Sequence, residues 1–471
     1  MGSYAENLIV KEGDSTIITP SGLILAGLAI IKGMVREIID NGFPHNQDKR
    51  SGKQIRDSDI CITYIANQVQ GNNDYVDVNE FKNSEKGENF FCKILGIVTR
   101  IPSEATLRQR MDEMGKAIKS VRPVLLNANV EMLIRNKVKP SPMDIGYVPL
   151  NIDVTPTEEN NKCHKENVSR TYKGCDGYAP PNAYIGREGY LLNSELRPGS
   201  QHCQKDFPRF LRETLELAHK VNAYPHACPL LVCMDSGNSA AENMHIIMEK
   251  GDSFVVKGKR TRSPKDSLES WKDHVEKYTC PENIEHPREG KDVYIGSDWR
   301  EISYTDAKGQ SHSMTLRLVY EVTVRTIDRN GQYLMPADVE VNTYWTNLPH
   351  NDRTIIDIYH AHGESEQFHS EWKTDMGVEQ FPSGNFNTNE LILELSMIAY
   401  NILRMIGQES LKSENQNGSH HVCRRRIRTT IDWYIKIGSH VTSHARYDKV
   451  SLGSCNIHSK TFIKMFNHFR N

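Results

Sequence analysis

The 471-residue chain lacks several features that would indicate its class directly. Its 10 cysteines form no Cys-x2-Cys pair, which suits free thiols in a reducing compartment. The longest apolar run, from Gly22 to Val35, contains Lys32 and is too short to span a bilayer. No charged-then-apolar signal peptide opens the chain. We therefore expect a cytoplasmic protein with no membrane partner.

The chain also lacks an excess of charge of either sign. Its formal net charge of −2 gives no global indication of a polyanionic partner, so any nucleic-acid surface must be built from local patches. Hydrophobic residues at 38% and charged residues at 25% are ordinary for a globular protein. The length predicts two or three domains, or one domain with a large insertion.

The cysteines leave one metal hypothesis open. Cys163, His164, Cys175, His202 and Cys203 could be combined into a zinc site. Their spacing matches no usual zinc finger or ribbon, so plain thiols and polar loop residues are the favoured alternative.

Hydrophobic periodicity changes along the chain. Residues 20–140 repeat apolar side chains at helical spacing. From Tyr147 the pattern becomes a buried strand, a hairpin around a Gly-Arg-Glu-Gly turn, an amphipathic helix, a second buried strand ending at Asp235, and a helix. This order matches the front half of a ribonuclease-H-like α/β fold. A β-rich stretch follows, and then helical patterns return.

These changes divide the chain into five parts. They are a helical N-terminal region (1–140), the first part of the α/β core (141–257), a β-rich insertion with a possible last core strand (258–347), core helices (348–410) and a basic helical C-terminal region (411–471).

Two aspartates stand near the ends of buried strands. Asp153 lies near the end of YVPLNIDVTP, and Asp235 ends the strand of CPLLVCMDSG. A carboxylate there is costly unless it is paired or binds a cation, and open sheets gather ligand sites at strand ends. The two aspartates could therefore share a metal ion. The alternative is that each only caps the turn that follows it.

A third carboxylate can come from the stretch Ile358 to Gly377, which contains three glutamates. At about 100° per residue with Tyr359 as zero, His362 falls near 300°, Glu366 near 340° and Lys373 near 320°. Glu364 and Glu371 fall near 120–140°, on the opposite side. The face with Glu366 carries groups suited to phosphate, so we predict Glu366 as the third metal ligand and the other two as surface charge. Surface pairing along the helix is the alternative.

Two basic patches could contact nucleic acid, although a solvated charged face is the alternative for each. They consist of Lys257, Lys259, Arg260 and Arg262 in KGKRTR, and of Arg424, Arg425 and Arg426 in CRRRIR.

The spacing Tyr359-x2-His362-x3-Glu366-x6-Lys373 resembles the Tyr-x2-Arg-x3-Glu-x6-Lys signature of bacterial insertion-sequence DDE transposases. The blocks NIDVTP, LLNSELRPGSQH, LVCMDSGNSAAENM, TNLP and LILELSMIAYNILRMI resemble further blocks of that family in the same order. The resemblance covers most of residues 90–450. One position departs from it, because His362 stands where the family has an arginine, and a neutral histidine makes at most one phosphate contact.

The resemblance implies a fold, a reaction and partners. The fold is a ribonuclease-H-like core with a β-rich insertion before the last catalytic helix. Asp153, Asp235 and Glu366 would hold two Mg²⁺ ions, which Mn²⁺ could replace. Tyr359, His362 and Lys373 would contact the DNA end, together with the helical N-terminal region and the basic patches. In hairpin-forming relatives a tryptophan of the insertion stacks on a flipped base, for which Trp299 and Trp345 are candidates.

We therefore predict a cut-and-paste transposase in the bacterial cytoplasm, associated with the nucleoid. It would cleave and join double-stranded DNA at the terminal inverted repeats of its element and in target DNA, as a dimer or larger synaptic complex. A decayed or domesticated transposase that only binds DNA is one alternative, and His362 is the feature that favours it. Another ribonuclease-H-like nuclease is the second.

Overall fold

The architecture is that of a mixed α/β protein with one large sheet. A computed structural model describes residues 16–44, 55–158, 164–222, 228–306, 309–414, 422–444 and 446–471. Within them no helix is long and apolar enough to cross a membrane.

The N-terminal part is helical, as its apolar periodicity predicts. A short strand, β1 (Ile17–Ile18), comes first. The α-helices of its described residues are α1 (Leu23–Lys32), α2 (Val35–Gly42), α3 (Asp57–Val69), α4 (Glu85–Leu95), α5 (Glu104–Lys116) and α6 (Ile118–Arg135). Serine side chains cap two of them, since Ser84 accepts from the Gly87 amide and Ser103 from the Thr106 amide. The whole of α3 is buried, which makes it a central helix of this part.

A small sheet and a hairpin follow the first core strand. The strands are β2 (Val148–Val154), β3 (Thr157–Glu158), β4 (Ser169–Arg170), β5 (Asp176–Tyr178), β6 (Pro181–Ile185) and β7 (Tyr190–Ser194). Strands β3, β5 and β4 form a separate three-stranded sheet. The turn of the β6–β7 hairpin needs glycine, because Gly186 and Gly189 have φ values of +75° and +73°.

The core sheet continues through two parallel strands. Helix α7 (Phe207–Val221) leads to β8 (Leu230–Met234), and α8 (Ala241–Glu249) leads to β9 (Ser253–Lys257). The core strands lie in the order β7-β6-β2-β8-β9, with β2, β8 and β9 parallel and the β6–β7 hairpin antiparallel. This confirms the predicted succession of strand, hairpin, helix, strand and helix.

The β-rich stretch extends the same sheet. After α9 (Leu268–Tyr278) come β10 (Ile284–Arg288), β11 (Lys291–Thr305), β12 (Ser311–Ile327) and β13 (Tyr333–Thr346). They are antiparallel, and β13 pairs with β9, so that nine strands form one sheet. The stretch predicted as an insertion is thus hydrogen-bonded to the last core strand.

The C-terminal third returns to helices. They are α10 (Asp352–His362), α11 (Ser365–Ser370), α12 (Phe386–Ser413), α13 (Ile427–Thr430) and α14 (Ser459–Arg470). Helix α12 is largely buried and packs against α3, α5, α6 and β7, which joins the helical part to the sheet.

The C-terminal region 411–471, predicted as helical, also contains strands. A hairpin of β14 (Ser439–Ser443) and β15 (Asp448–Leu452) lies there and pairs with β1. Ile17 and Ile18 of β1 lie opposite His440 and Ser439. These strands are only two to five residues long, and two of them come from opposite ends of the chain, so local periodicity gave little sign of them.

Candidate active site

The two strand-end aspartates lie side by side. Strands β2 and β8 are parallel neighbours in which Ile152 lies opposite Met234. Asp153 and Asp235 come directly after this pair, at the carboxyl edge of the sheet. Since neighbouring strands are about 4.8 Å apart, their carboxylates face a common space. The fold brings together the pair that the sequence singled out.

Asp235 is held from two sides. Its Oδ1 accepts a hydrogen bond of 2.7 Å from the Ser236 amide, at the start of a short 3₁₀ turn. It also accepts one of 3.2 Å from the Tyr359 hydroxyl on α10. Burial and the charge of Asp235 raise the pKa of Tyr359, so its hydroxyl stays protonated and donates. The Lys257 ammonium lies 5.8 Å from the centre of the same ring.

Asp153 is ionised in this environment. Burial alone would raise the pKa of its carboxyl, but the nearby His369 imidazole and the Val154 amide outweigh burial and lower it. His369 Nε2 lies 3.5 Å from Asp153 Oδ2, and the Val154 amide donates to Oδ1 at 2.7 Å. An anionic oxygen donor at this edge is the kind of ligand that Mg²⁺ prefers.

The predicted continuous helix over Tyr359–Lys373 is wrong. Helix α10 ends at His362, and α11 begins at Ser365. Between them the chain tightens, with hydrogen bonds three residues apart, as from the Glu366 amide to the Gly363 carbonyl at 3.2 Å. After α11 the chain widens into a π-helix, Glu371–Asp375. A 3₁₀ segment turns about 120° per residue, more than the roughly 100° of an α-helix, whereas a π-helix turns less. The two irregular segments therefore rotate the side chains that follow them in opposite directions.

Three residues of the predicted face nevertheless contact this end of the sheet. Tyr359 donates to Asp235, His362 Nδ1 lies 2.9 Å from Asn151 Oδ1, and Lys373 Nζ donates to the Pro156 carbonyl at 2.7 Å. Burial and the charge of Lys173 lower the pKa of Lys373.

Sequence reasoning missed His369, a further side chain of this face. Ten residues after Tyr359, it falls near 280° on the same helical scale, next to His362, so the periodicity could have found it. Helix α11 is fixed here by Phe368, which packs on Gly189; a Cβ on that glycine would lie 2.6 Å from the Phe368 ring.

Glu366 is exposed to solvent. Across the described residues, no three His, Cys, Asp or Glu side chains are grouped so that they could hold a metal ion. The two aspartates suit a divalent cation by the chemistry of their oxygens. Glu366, the predicted third ligand, joins no such group among the described residues.

Glu371, predicted as surface charge, is buried instead. Its carboxylate pairs with Arg404 at 2.8 Å and with Arg424 at 3.3 Å, and it accepts from the Ile427 amide at 3.1 Å. Arg404 is completely buried. The prediction failed because the partners lie 33 and 53 residues away and are brought in by α12 and the segment after it. Glu364 is exposed, as predicted.

His362 is buried and neutral at pH 7. Burial lowers the pKa of His362 to about 4, against the opposing charges of Asp153 and Asp235. Its ring is hydrogen-bonded to Asn151. His362 therefore supplies no positive charge at the position where bacterial insertion-sequence transposases have an arginine.

The two basic patches differ in exposure. Lys259, Arg260 and Arg262 are exposed after β9. In contrast, Arg424 packs over the Phe368 ring at 4.6 Å, and Arg425 lies 4.8 Å over Trp433. The remaining cation of that patch, Arg426, pairs with the buried Asp375 at 2.8 Å. Much of the positive charge of CRRRIR is therefore neutralised by ion pairs with the acidic residues Glu371 and Asp375.

The two candidate tryptophans also differ. Trp299 on β11 is 71% exposed, whereas Trp345 on β13 is partly buried and packs against the hydrophobic core.

A cavity of about 560 Å³ opens beside the two aspartates. Its lining includes Asp153, Asp235, Arg170, Tyr172, His202 and Cys203. The Tyr172 hydroxyl donates to the Val154 carbonyl at 3.1 Å, which places the loop after β4 over the strand end. Its volume is sufficient for a nucleotide-sized group next to the carboxylates.

The zinc hypothesis gains no support. Cys163 lies outside the described residues. Cys203 donates to the Gly237 carbonyl at 2.9 Å, and Cys175 Sγ lies 3.1 Å from the Thr171 hydroxyl. The other two side chains, His164 and His202, join no metal-binding group in the part of the chain that the structure describes.

Comparison with known proteins defines the class as transposase. The family model described as transposase DDE domain group 1 matches residues 96–471. The chain therefore belongs to this family. The predicted DDE transposase is thereby confirmed, whereas the Tyr-Arg-Glu-Lys branch and the bacterial origin stay predictions.

No curated protein matches the chain. A solved structure similar to it is piggyBac transposase in a synaptic complex with hairpin DNA, with a TM-score of 0.43 and 9% identity. The match covers 89% of this chain and 81% of that chain.

Proposed function

We propose that this protein is an active cut-and-paste transposase of a bacterial insertion sequence. It cleaves DNA at the terminal inverted repeats of its own element and joins the freed ends to target DNA, as a dimer in a synaptic complex at the nucleoid. The observation that carries the proposal is the pairing of Asp153 with Asp235 at adjacent strand ends, in a chain of the DDE family.

The sheet supports a ribonuclease-H-like assignment for the core. An antiparallel hairpin lies on one side of β2, and two further parallel strands, β8 and β9, lie on the other. Connections between parallel strands run through helices α7 and α8. The carboxyl ends of the central strands are where open sheets of this kind bind ligands.

The proposed roles combine the resemblance to DDE transposases with the contacts of the individual residues. Asp153, Asp235 and Glu366 would hold two Mg²⁺ or Mn²⁺ ions. When bound, such ions activate an attacking water or 3′-hydroxyl and stabilise the leaving oxygen. Tyr359 orients the Asp235 carboxylate, and Lys257 and Lys373 place positive charge beside the strand ends for the DNA backbone. The nucleotide next to the scissile phosphate would enter the cavity beside the aspartates.

Asp153→Asn and Asp235→Asn are expected to lose about a thousandfold or more in cleavage rate, because several kcal/mol of transition-state stabilisation disappear. The measurement is nicking by the purified full chain, with Mg²⁺, of a duplex bearing the repeats that flank its coding region. Retained DNA binding by both variants is the control for folding. Wild-type cleavage by either variant would refute the assignment of the pair.

A DNA-binding protein without catalytic activity is the second candidate. Two observations favour it: Glu366 is exposed, and His362 is neutral and buried. The same assay separates the candidates, since a non-catalytic protein would bind the repeats and leave them intact with Mg²⁺ or Mn²⁺ at any concentration.

The exposed cluster after β9 is expected to bind the phosphate backbone. Replacing Lys259, Arg260 and Arg262 together with glutamine should flatten the slope of log Kd against log salt by roughly 2–3, since each phosphate contact contributes about 0.9. Fluorescence anisotropy with a labelled duplex measures it. Arg426→Gln is the matched control from the other patch and should change the slope by less, because its guanidinium pairs with Asp375. An unchanged slope in the triple variant would place the DNA on another surface.

A further inference from the structure

His369 is a buried side chain with an unused polar atom. It lies on α11 and is 6% exposed, and its Nε2 finds no hydrogen-bond partner among the described residues. That nitrogen is 3.5 Å from Asp153 Oδ2. Leaving a buried polar nitrogen without a partner is unfavourable, and here only a small movement would let it bond to the strand-end carboxylate.

The other ring nitrogen fixes the tautomer. His369 Nδ1 lies 3.3 Å from the hydroxyl of Tyr184, which is completely buried on β6. Burial keeps the pKa of Tyr184 well above its usual value, so the hydroxyl is protonated and needs an acceptor. If Nδ1 accepts that proton, the neutral ring carries its hydrogen on Nε2, facing Asp153.

The ring is also fixed in place. Tyr184 packs against His369 at a ring-centre distance of 5.2 Å and against Phe368 at 5.3 Å. Strand β6 pairs with β2, so the tyrosine and the aspartate belong to adjacent strands of one sheet. The hydrogen bonds between β2 and β6 therefore fix the position of Tyr184 relative to Asp153. Helix α11 places the His369 imidazole between these two side chains.

We propose that His369 is a positioning residue for the catalytic carboxylates, in a relay from the Tyr184 hydroxyl through His369 to Asp153. After a small shift from the observed 3.5 Å, the Nε2 hydrogen would bond to one oxygen of Asp153 and leave the other oxygen directed at the metal-binding space. The inference rests on the proposed function and adds to it a residue outside the signature spacing. Hydrogen-bonded partners of metal ligands typically change metal affinity by about 10–100-fold when removed.

The test is binding of Mn²⁺ alone to the full chain, followed by electron paramagnetic resonance. His369→Ala is expected to weaken affinity by about 10–100-fold. His369→Gln, whose amide can place a donor near the Nε2 position, should recover most of that loss. Tyr184→Phe, which removes only the hydroxyl, should weaken binding as well. Circular dichroism melting of each variant controls for folding.

The outcomes separate this inference from the proposed function. Wild-type affinity in His369→Ala or in Tyr184→Phe would overturn the relay, and so would a His369→Gln variant as weak as His369→Ala. In either case Asp153→Asn should still abolish Mn²⁺ binding. If Asp153→Asn leaves Mn²⁺ binding unchanged, the proposed metal pair fails instead.

Discussion

Glu366→Gln is expected to lose about a thousandfold in DNA cleavage, although its side chain is exposed in the free protein. Glutamine keeps the size and polarity of the side chain and removes only the charge that a metal ligand needs. Glu364→Gln is the matched control, because it removes the same charge two residues away on the same exposed segment. We expect it to stay within about twofold of wild type, as surface substitutions usually do.

The expected loss depends on the turn before α11. Amides of Gly363, Glu364, Glu366 and Gln367 all donate to carbonyls three residues earlier, at 3.0–3.2 Å. Rewinding such a segment to an α-helix changes the facing by about 20° per residue. Tight turns of this type inside helices often mark functional hinges. Rewinding in the DNA complex would turn Glu366 toward the face of Tyr359, which the sequence predicts.

Cleavage of the repeats under single-turnover conditions measures the effect, and binding of the same duplex shows that the variant is folded. Equal rates for Glu366→Gln and wild type would mean that the third ligand is another residue. A large loss in Glu364→Gln with none in Glu366→Gln would invert the assignment within this segment.

Much of the core could be predicted from the sequence because its signals are local. Buried strands appear as short apolar runs, and glycines mark the hairpin turn at Gly186 and Gly189. Each of two parallel strands has an aspartate near its end, so that the register of the two strands alone brings the aspartates together. The structure places Asp153 beside Asp235. These features need only the period of the pattern and the chemistry of turns.

The helix that follows β13 shows where such reasoning ends. One glycine, Gly363, gives no sign of whether the chain continues as an α-helix or tightens into a 3₁₀ turn, and a π-helix has no periodic signature. Tyr359, His362 and Lys373 keep their predicted facing, and Glu366 does not. Local hydrogen-bond geometry shifts a side chain by tens of degrees, which is enough to move a metal ligand out of a site.

Glu371→Ala is expected to destabilise the protein by about 3–5 kcal/mol, the usual result of removing one partner of a buried ion pair. The loss falls on Arg404, which is completely buried and would keep an uncompensated charge, although it also donates to the Tyr400 hydroxyl at 2.7 Å. Arg424 and the Ile427 amide lose an acceptor as well. Thermal or urea unfolding followed by circular dichroism measures the change.

A double variant shows that the effect is electrostatic. Glu371→Leu with Arg404→Met removes both charges and should recover a large part of the lost stability, because apolar residues of similar size often replace buried pairs without cost. An equally unstable double variant would attribute the loss to packing. At a temperature where Glu371→Ala remains folded, its cleavage rate should stay within a few-fold of wild type. Glu371 therefore holds α12 and the chain after it against the segment Tyr359–Lys373. A substitution of Glu371 lowers activity by destabilising the fold, whereas Glu366→Gln lowers activity in a folded protein.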